Sequence, residues 1–247
     1  MSGHSKWSTI KRKKGANDAK RAKIFSKLIK EISVAAKVGD GDPDTNPRLR
    51  LAIQNAKGAN MPKENIERAI KKGSGADSEE FHEPTYEGYA TNGVAVFVES
   101  NTDNLNRTIS SVRSLFTKYG GNLGTNGSLE FIFDRKGIFT LPVPSNLDHD
   151  EFTLEIIDAG AEDVEEDEGY LTITTALEDF GNIQKKLEDL HIATETAELQ
   201  RIPNSTVPLD DEAFTKIMKL IDALEDDDDV QKVYHNMEIT DNQLQLI

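Results

Sequence analysis

Residues 138–200 read IFTLPVPSNLDHDEFTLEIIDAGAEDVEEDEGYLTITTALEDFGNIQKKLEDLHIATETAELQ. Apolar periodicity and turn residues divide this stretch into a strand (Ile138 to Leu141), a helix (Asp150 to Ala159), a strand (about Asp163 to Glu166) and a strand (Tyr170 to Thr174). A helix (Leu177 to Leu190) and a strand (Thr194 to Gln200) complete it. The order is β-α-β-β-α-β, the split βαβ arrangement of a ferredoxin-like unit.

The flanks on both sides read as a second such unit. Tyr86 to Ala90 and Gly93 to Ser100 form two strands joined by Thr91-Asn92-Gly93, whose Asn-Gly pair favours a tight hairpin turn. Leu105, Ile109, Val112, Leu115 and Phe116 then share one helical face, and Gly120-Gly121 ends that helix. Leu129 to Asp134 reads as a strand, and Lys136-Gly137 leads into the quoted stretch. A helix at Asp210 to Leu224 and a strand at Val230 to His235 supply the missing elements, with Pro203 to Pro208 as a return linker. The 137–203 module is therefore expected to be inserted into a middle one made of 80–136 and 204–247.

Upstream the period is helical throughout. From about Asp18 to Val38, Phe25, Leu28, Ile29, Ile32 and Ala36 fall in one sector, while Lys20, Lys23, Lys27 and Lys30 lie opposite, so a basic stripe is expected to face outward. After the loop Gly39 to Asn46, a second helix opens at Pro47, uses Leu49, Ala52, Ile53 and Ala56, and ends at Gly58. A third starts at Pro62, uses Ile66, Ala69 and Ile70, and finishes at Lys71-Lys72-Gly73. The expected fold class is α+β, an N-terminal three-helix domain (1–75) followed by two ferredoxin-like α/β modules, the last inserted into the middle one.

Composition narrows the function. The 247 residues are 36% apolar and 30% charged, with 10 Phe and 5 Tyr, enough for folded cores and against wholesale disorder. No run approaches 18 apolar residues, and Met1 to Gly15 is basic without an apolar stretch, so a cytoplasmic protein with no membrane partner is expected. The absence of cysteine excludes disulfides, thiol nucleophiles and zinc thiolates, and the five histidines are scattered. Asp40, Asp42 and Asp44 imitate the start of a calcium loop, but Thr45 stands where it needs Gly and Leu51 where it needs Glu; a capped loop is expected instead. Gly121, Gly124 and Gly127 follow a helix and precede a strand, the wrong polarity for a phosphate cradle. The acids of Asp148 to Glu168 and Glu225 to Asp229 read as solvated exterior, and no residue is singled out as catalytic or metal-binding.

The net charge of −15 is unevenly spread. Residues 1–75 carry 18 Lys or Arg against 7 acids, +11, whereas 76–247 carry 11 against 37, −26. A cationic part that meets a polyanion follows, with nucleic acid as the leading partner. The first 17 residues hold no acid but include Lys6, Trp7 and the run Lys11, Arg12, Lys13, Lys14. Lysines neutralise phosphates and Trp7 is placed to stack on a base, which suits a backbone-tracking arm. With Lys20, Arg21, Lys23, Lys27 and Lys30 from the first helix, these are the candidate nucleic-acid contacts; lysine in place of base-reading Arg, Asn or Gln favours backbone over base readout. A mitochondrial presequence is the competing reading of the arm.

Several segments resemble one family, the YebC/PmpR proteins. They include Gly3-His4-Ser5-Lys6-Trp7, Asp18-Ala19-Lys20-Arg21, Asn46-Pro47-Arg48-Leu49-Arg50 and Asn60-Met61-Pro62-Lys63. Tyr86-Glu87-Gly88-Tyr89, Thr102-Asp103-Asn104, Asn106-Arg107-Thr108 and Gly120-Gly121-Asn122-Leu123-Gly124 extend the resemblance over most of residues 2–137. It implies a three-domain, non-enzymatic cytoplasmic protein, described in that family as a "probable" DNA-binding transcriptional regulator and also tied to translation at the ribosome. The chain departs from the family pattern at Leu105, where a basic residue is expected. DNA-binding regulation, a ribosomal-RNA-binding factor that relieves stalling, and a ligand-sensing or dimerisation module are the three readings carried forward, without cofactor; the sequence leaves the oligomeric state open.

Overall fold

Two all-antiparallel four-stranded sheets and a helical bundle make up the computed structural model, which describes residues 18–75, 80–144 and 148–246. The bundle holds α1 (Asp18–Val38), α2 (Pro47–Gly58) and α3 (Lys63–Ser74). Asn46 caps α2 by accepting from the Leu49 amide at 3.0 Å, and Pro47 sits at its first position, where no amide is missed. The Asp40–Thr45 loop closes on itself, Thr45 Oγ1 donating to the Asp40 carboxylate at 2.8 Å. Ile32, Leu49, Ala52, Ala56, Ile66 and Ala69 form the bundle's core.

The first sheet runs in the order β3–β1–β2–β8, built from β1 (Thr85–Tyr89), β2 (Ala95–Ser100), β3 (Asn122–Leu123) and β8 (Val230–His235). Asn92 (φ 61°) and Gly93 (φ 75°) turn β1 into β2 with two consecutive left-handed residues, the conformation an Asn-Gly turn favours. α4 (Leu105–Lys118) and α7 (Asp211–Glu225) cover one face through Val112, Phe116, Phe214, Ile217 and Ile221, against Val96, Val98 and Val233. The other face buries Ala95, Phe97 and Tyr234 against Leu129 and Phe133. β2 is thus sandwiched, which explains its unbroken apolar run Val94 to Val98.

The second sheet contains β4 (Phe133–Pro142), β5 (Ala161–Asp167), β6 (Tyr170–Ala176) and β7 (Thr196–Pro203), in the order β5–β6–β4–β7. α5 (His149–Asp158) and α6 (Phe180–Asp189) bury Phe152, Ile156, Ile183 and Leu187 against Phe139, Leu141, Leu171 and Ile173. This is the ferredoxin-like order read from residues 138–200. At roughly 1.5–3 kcal/mol for each large apolar side chain removed from water, such a cluster holds the module.

Two details differ from the sequence reading. Leu129 to Asp134 is not a strand of the middle sheet: residues 130–132 form a single 3₁₀ turn, and Phe133 already pairs with Pro203 as the first residue of β4. Leu129 and Phe133 point into the core four residues apart while Phe131 is 74% exposed, a helical spacing. The two-residue β3 takes the expected strand's place, so the boundary expected at 136/137 falls inside β4. Ladder order nevertheless matches the second sheet, with β2, β3, β1 and β8 in the roles of β4, β5, β6 and β7; the third strand of the unit precedes the first in the chain.

Candidate nucleic-acid interface

Of the candidate contacts, Lys6, Trp7, Lys11, Arg12, Lys13 and Lys14 lie outside the described residues, and Lys20 lies in α1 with its side chain outside them. Arg21 is exposed, its guanidinium carbon 5.5 Å from the Phe25 ring centroid. The structure brings Lys23, Lys27 and Lys30 together at the end of α7.

Their orientation corrects the expectation of an outward stripe. Lys23 pairs with Asp226 at 2.6 Å, and Lys27 donates to the Glu225 carbonyl at 2.9 Å. Lys30 donates to the carbonyls of Asn101 and Asp228, each at 2.9 Å, and to Asp229 at 3.1 Å, which matches the three donors of an ammonium. A helix ends at Glu225, where the last carbonyls lack intrahelical partners and the dipole end is negative, and the four aspartates that follow, Asp226 to Asp229, add full charges. The lysines do lie opposite the apolar face of α1, but another part of the chain covers that side. Lys23–Asp226 is solvent-exposed and contributes at most about 1 kcal/mol. The Lys30 contact is more enclosed.

Asp229 is the centre of this junction. Its side chain is 7% exposed, and it accepts from Arg107 at 2.7 Å and 2.9 Å, from Thr108 at 2.9 Å and from Lys30. Burial alone would raise its pKa, but the hydrogen bonds from Arg107, Thr108 and Lys30 outweigh it and hold the carboxyl below its ordinary value. Arg107 also pairs with Asp103 at 2.6 Å, and Asn104 caps α4 by accepting from the Arg107 amide at 3.1 Å. Asn104 and Arg107 therefore position the start of α4, next to the exposed Leu105.

Further contacts fix the bundle against both sheets. Arg48 bridges Glu31 on α1 and Glu83 before β1. Asn55 on α2 donates to the Ala197 carbonyl at 2.9 Å and accepts from the Ala197 amide at 2.8 Å, satisfying the free edge of β7. Gly58 lets the backbones meet, since a Cβ there would lie 1.8 Å from the Glu195 carbonyl oxygen. Between the sheets, Lys232 pairs with Glu198 at 2.5 Å and Arg201 with Glu99 at 2.9 Å, its guanidinium 3.9 Å from the Phe97 ring centroid. Where the three modules meet lies a cleft of about 930 Å³, with Leu28, Leu51 and Leu199 beside Lys27, Arg48 and Glu99.

The partners across these junctions sit from 34 to 203 positions apart in the chain, so no local motif announces them. The signal in the sequence is the coexistence of the lysine stripe of α1 with the acid run Glu225 to Asp229. Among the described residues no group of three or more acids and histidines is placed to hold a metal ion, and no helix is long and apolar enough to cross a membrane.

Comparison with known proteins places this architecture. Residues 5–76 match a family model described as the TACO1/YebC protein N-terminal domain, and residues 81–237 one described as the TACO1/YebC second and third domain. A "Probable transcriptional regulatory protein" of Amoebophilus asiaticus (strain 5a2) is 59% identical over 239 residues, 96% of this chain and 98% of that one. Another of the same name, from Geotalea uraniireducens (strain Rf4), is 52% identical over 245 residues, 99% of this chain and 98% of that one. The crystal structure of a conserved hypothetical protein from Aquifex aeolicus superposes with a TM-score of 0.82 at 49% identity, over 91% of this chain and 93% of that one.

Proposed function

We propose that this chain, which belongs to the TACO1/YebC family, is a non-enzymatic nucleic-acid-binding regulator of gene expression, with residues 1–75 as the binding unit. The observation that carries the reading is the partition of charge, +11 in residues 1–75 against −26 in the rest. A polyanion is drawn to the first part and repelled by the second, which orients the protein on its target. The names of the relatives as transcriptional regulators support the same class. In this reading the arm residues Lys6, Trp7 and Lys11 to Lys14 track the phosphate backbone, with Lys20 and Arg21 extending the track onto α1. Lys23, Lys27 and Lys30 join only if nucleic acid displaces the 225–229 segment, which occupies them as an internal phosphate mimic.

A second reading, ribosomal RNA bound during translation, is favoured by the dominance of lysine over base-reading side chains in the arm and α1. The cleft of about 930 Å³ favours a third, ligand sensing, since its size lies in the range of small-molecule sites.

Binding of the full chain to a 20-base-pair DNA duplex and to an RNA hairpin, measured against salt, tests the proposal. Affinity is expected to fall steeply with salt, and changing Lys11, Arg12, Lys13 and Lys14 to Gln is expected to flatten the duplex slope by up to about 3.6, at roughly 0.9 per phosphate contact. Absence of binding to either probe at low salt refutes it.

A further inference from the structure

α4 differs in charge from everything around it. Residues 76–247 hold 37 acids, yet Leu105–Lys118 contains Arg107, Arg113 and Lys118 and no acid at all. Its buried side is Thr108, Val112 and Phe116. Ser110, Arg113, Ser114, Thr117 and Lys118, spaced 0, 3, 4, 7 and 8, form one exposed stripe and line a shallow recess of about 480 Å³. Every side chain in that recess is a hydroxyl or a cation.

The cations there are not spent internally. Arg107 is held by Asp229 and Asp103, but Arg113 and Lys118 have no carboxylate partner among the described residues. Lys118 lies over the Tyr119 ring, 5.4 Å from its centroid. Lys216 of the neighbouring α7 reaches the same end, its Nζ 3.6 Å from where a Cβ would stand on Gly120. Asp211 and Glu212 open α7 one turn before Lys216, and at the other end of α4 Ser111, outside the recess, donates to Asp227. No large apolar side chain lines the recess to favour a lipid or an apolar peptide.

We propose that this face of α4 is a second contact surface for a nucleic-acid backbone, an inference that rests on the function proposed above. Hydroxyls and cations are donors suited to phosphate oxygens. Ser110 to Lys118 spans about 12 Å at 1.5 Å per residue, the length of three to four base pairs at 3.4 Å. The surface is also continuous with the binding unit, because Asp229 links Arg107 at the start of α4 to Lys30 of α1. The middle module, acidic as a whole, is locally complementary to phosphate here.

The test uses the full chain carrying Arg113→Gln and Lys118→Gln, with a 20-base-pair DNA duplex and an RNA hairpin of the same sequence as probes. The slope of log affinity against log salt on the duplex is expected to flatten by up to about 1.8, two contacts at roughly 0.9 each, with weaker binding at every salt concentration. The melting temperature should stay that of the parent, since both side chains are exposed. Lys185→Gln, which removes an exposed cation from α6, should leave the slope unchanged, and Arg113→Lys should restore part of the loss. Parent-like slope and affinity in the double variant would overturn the α4 surface and leave the proposed function standing. An equal effect of Lys185→Gln would also overturn it, as a mere change of net charge. A parent chain that binds neither probe would overturn both.

Discussion

Replacing Asp229 by Asn keeps the shape of the junction and removes the charge on which it is built. Asp229 accepts from Arg107, Thr108 and Lys30, and its side chain is 7% exposed. Removing one member of a buried ion pair costs about 3–5 kcal/mol, because the partners stay desolvated. Arg107 is half exposed and recovers water, and Lys30 keeps the carbonyls of Asn101 and Asp228, so the lower end, about 3 kcal/mol, applies. At roughly 2–4 °C per kcal/mol for a chain of this size, the melting temperature should drop by about 6–12 °C at pH 7. The pH dependence adds a sign. Asp229 has a folded pKa below its unfolded value of about 3.9, so its contribution is complete above that value and is lost as pH falls through the folded one. The gap between variant and parent should therefore narrow in acid. Melting followed by circular dichroism at pH 7, 5 and 3 measures this. A variant within about 2 °C of the parent at pH 7, or a gap that stays constant into acid, would refute the reasoning.

Gly58→Ala should loosen α2 from β7, because the new methyl meets the Glu195 carbonyl backbone; a cost of about 1–3 kcal/mol, read by melting, and faster proteolysis between α2 and α3 are expected. Excising 135–201 and joining Asp134 to Ile202 through an Asn-Gly turn should leave the first sheet folded, since those two residues are already paired across β4 and β7 and the Asn204 amide bonds the Ile132 carbonyl at 2.8 Å. A cooperative melt of the shortened chain checks this, and a molten product would show that the second sheet is needed to fold the first. Phe139→Ala, at the centre of the second sheet's core, should cost about 3–5 kcal/mol, measured by urea unfolding.

Most of the fold was legible because its elements are amphipathic with clear punctuation. The helix limits at Asp18–Val38 and Pro47–Gly58 follow from apolar spacing, proline and glycine, and Val230–His235 from Val230, Val233 and Tyr234 standing between turn-forming residues. β3 was not legible, since two residues carry no period. Leu129 to Phe133 misled because Leu, Phe, Ile and Phe are good strand formers, whereas here they are spaced to fill the back of β2 before β4 begins. For the candidate interface, the helical periodicity placed Lys23, Lys27 and Lys30 on the correct side of α1. What covers that side is decided some 200 residues away by the end of α7, and pattern reading along one helix carries no information about it. The exposed stripe of α4 was visible in the spacing of its serines and cations, but the acidity of the surrounding region hid it.

The central claim is that this chain holds nucleic acid through residues 1–75, and crosslinking in cells followed by sequencing of the DNA and RNA that copurify tests it most directly. The account predicts recovery of nucleic acid well above a mock purification, with a marked loss when Lys11, Arg12, Lys13 and Lys14 are changed to Gln. Enrichment of promoter DNA would place the protein in transcription, and enrichment of ribosomal RNA in translation. Recovery no greater than the mock purification, for DNA and RNA alike, would contradict it.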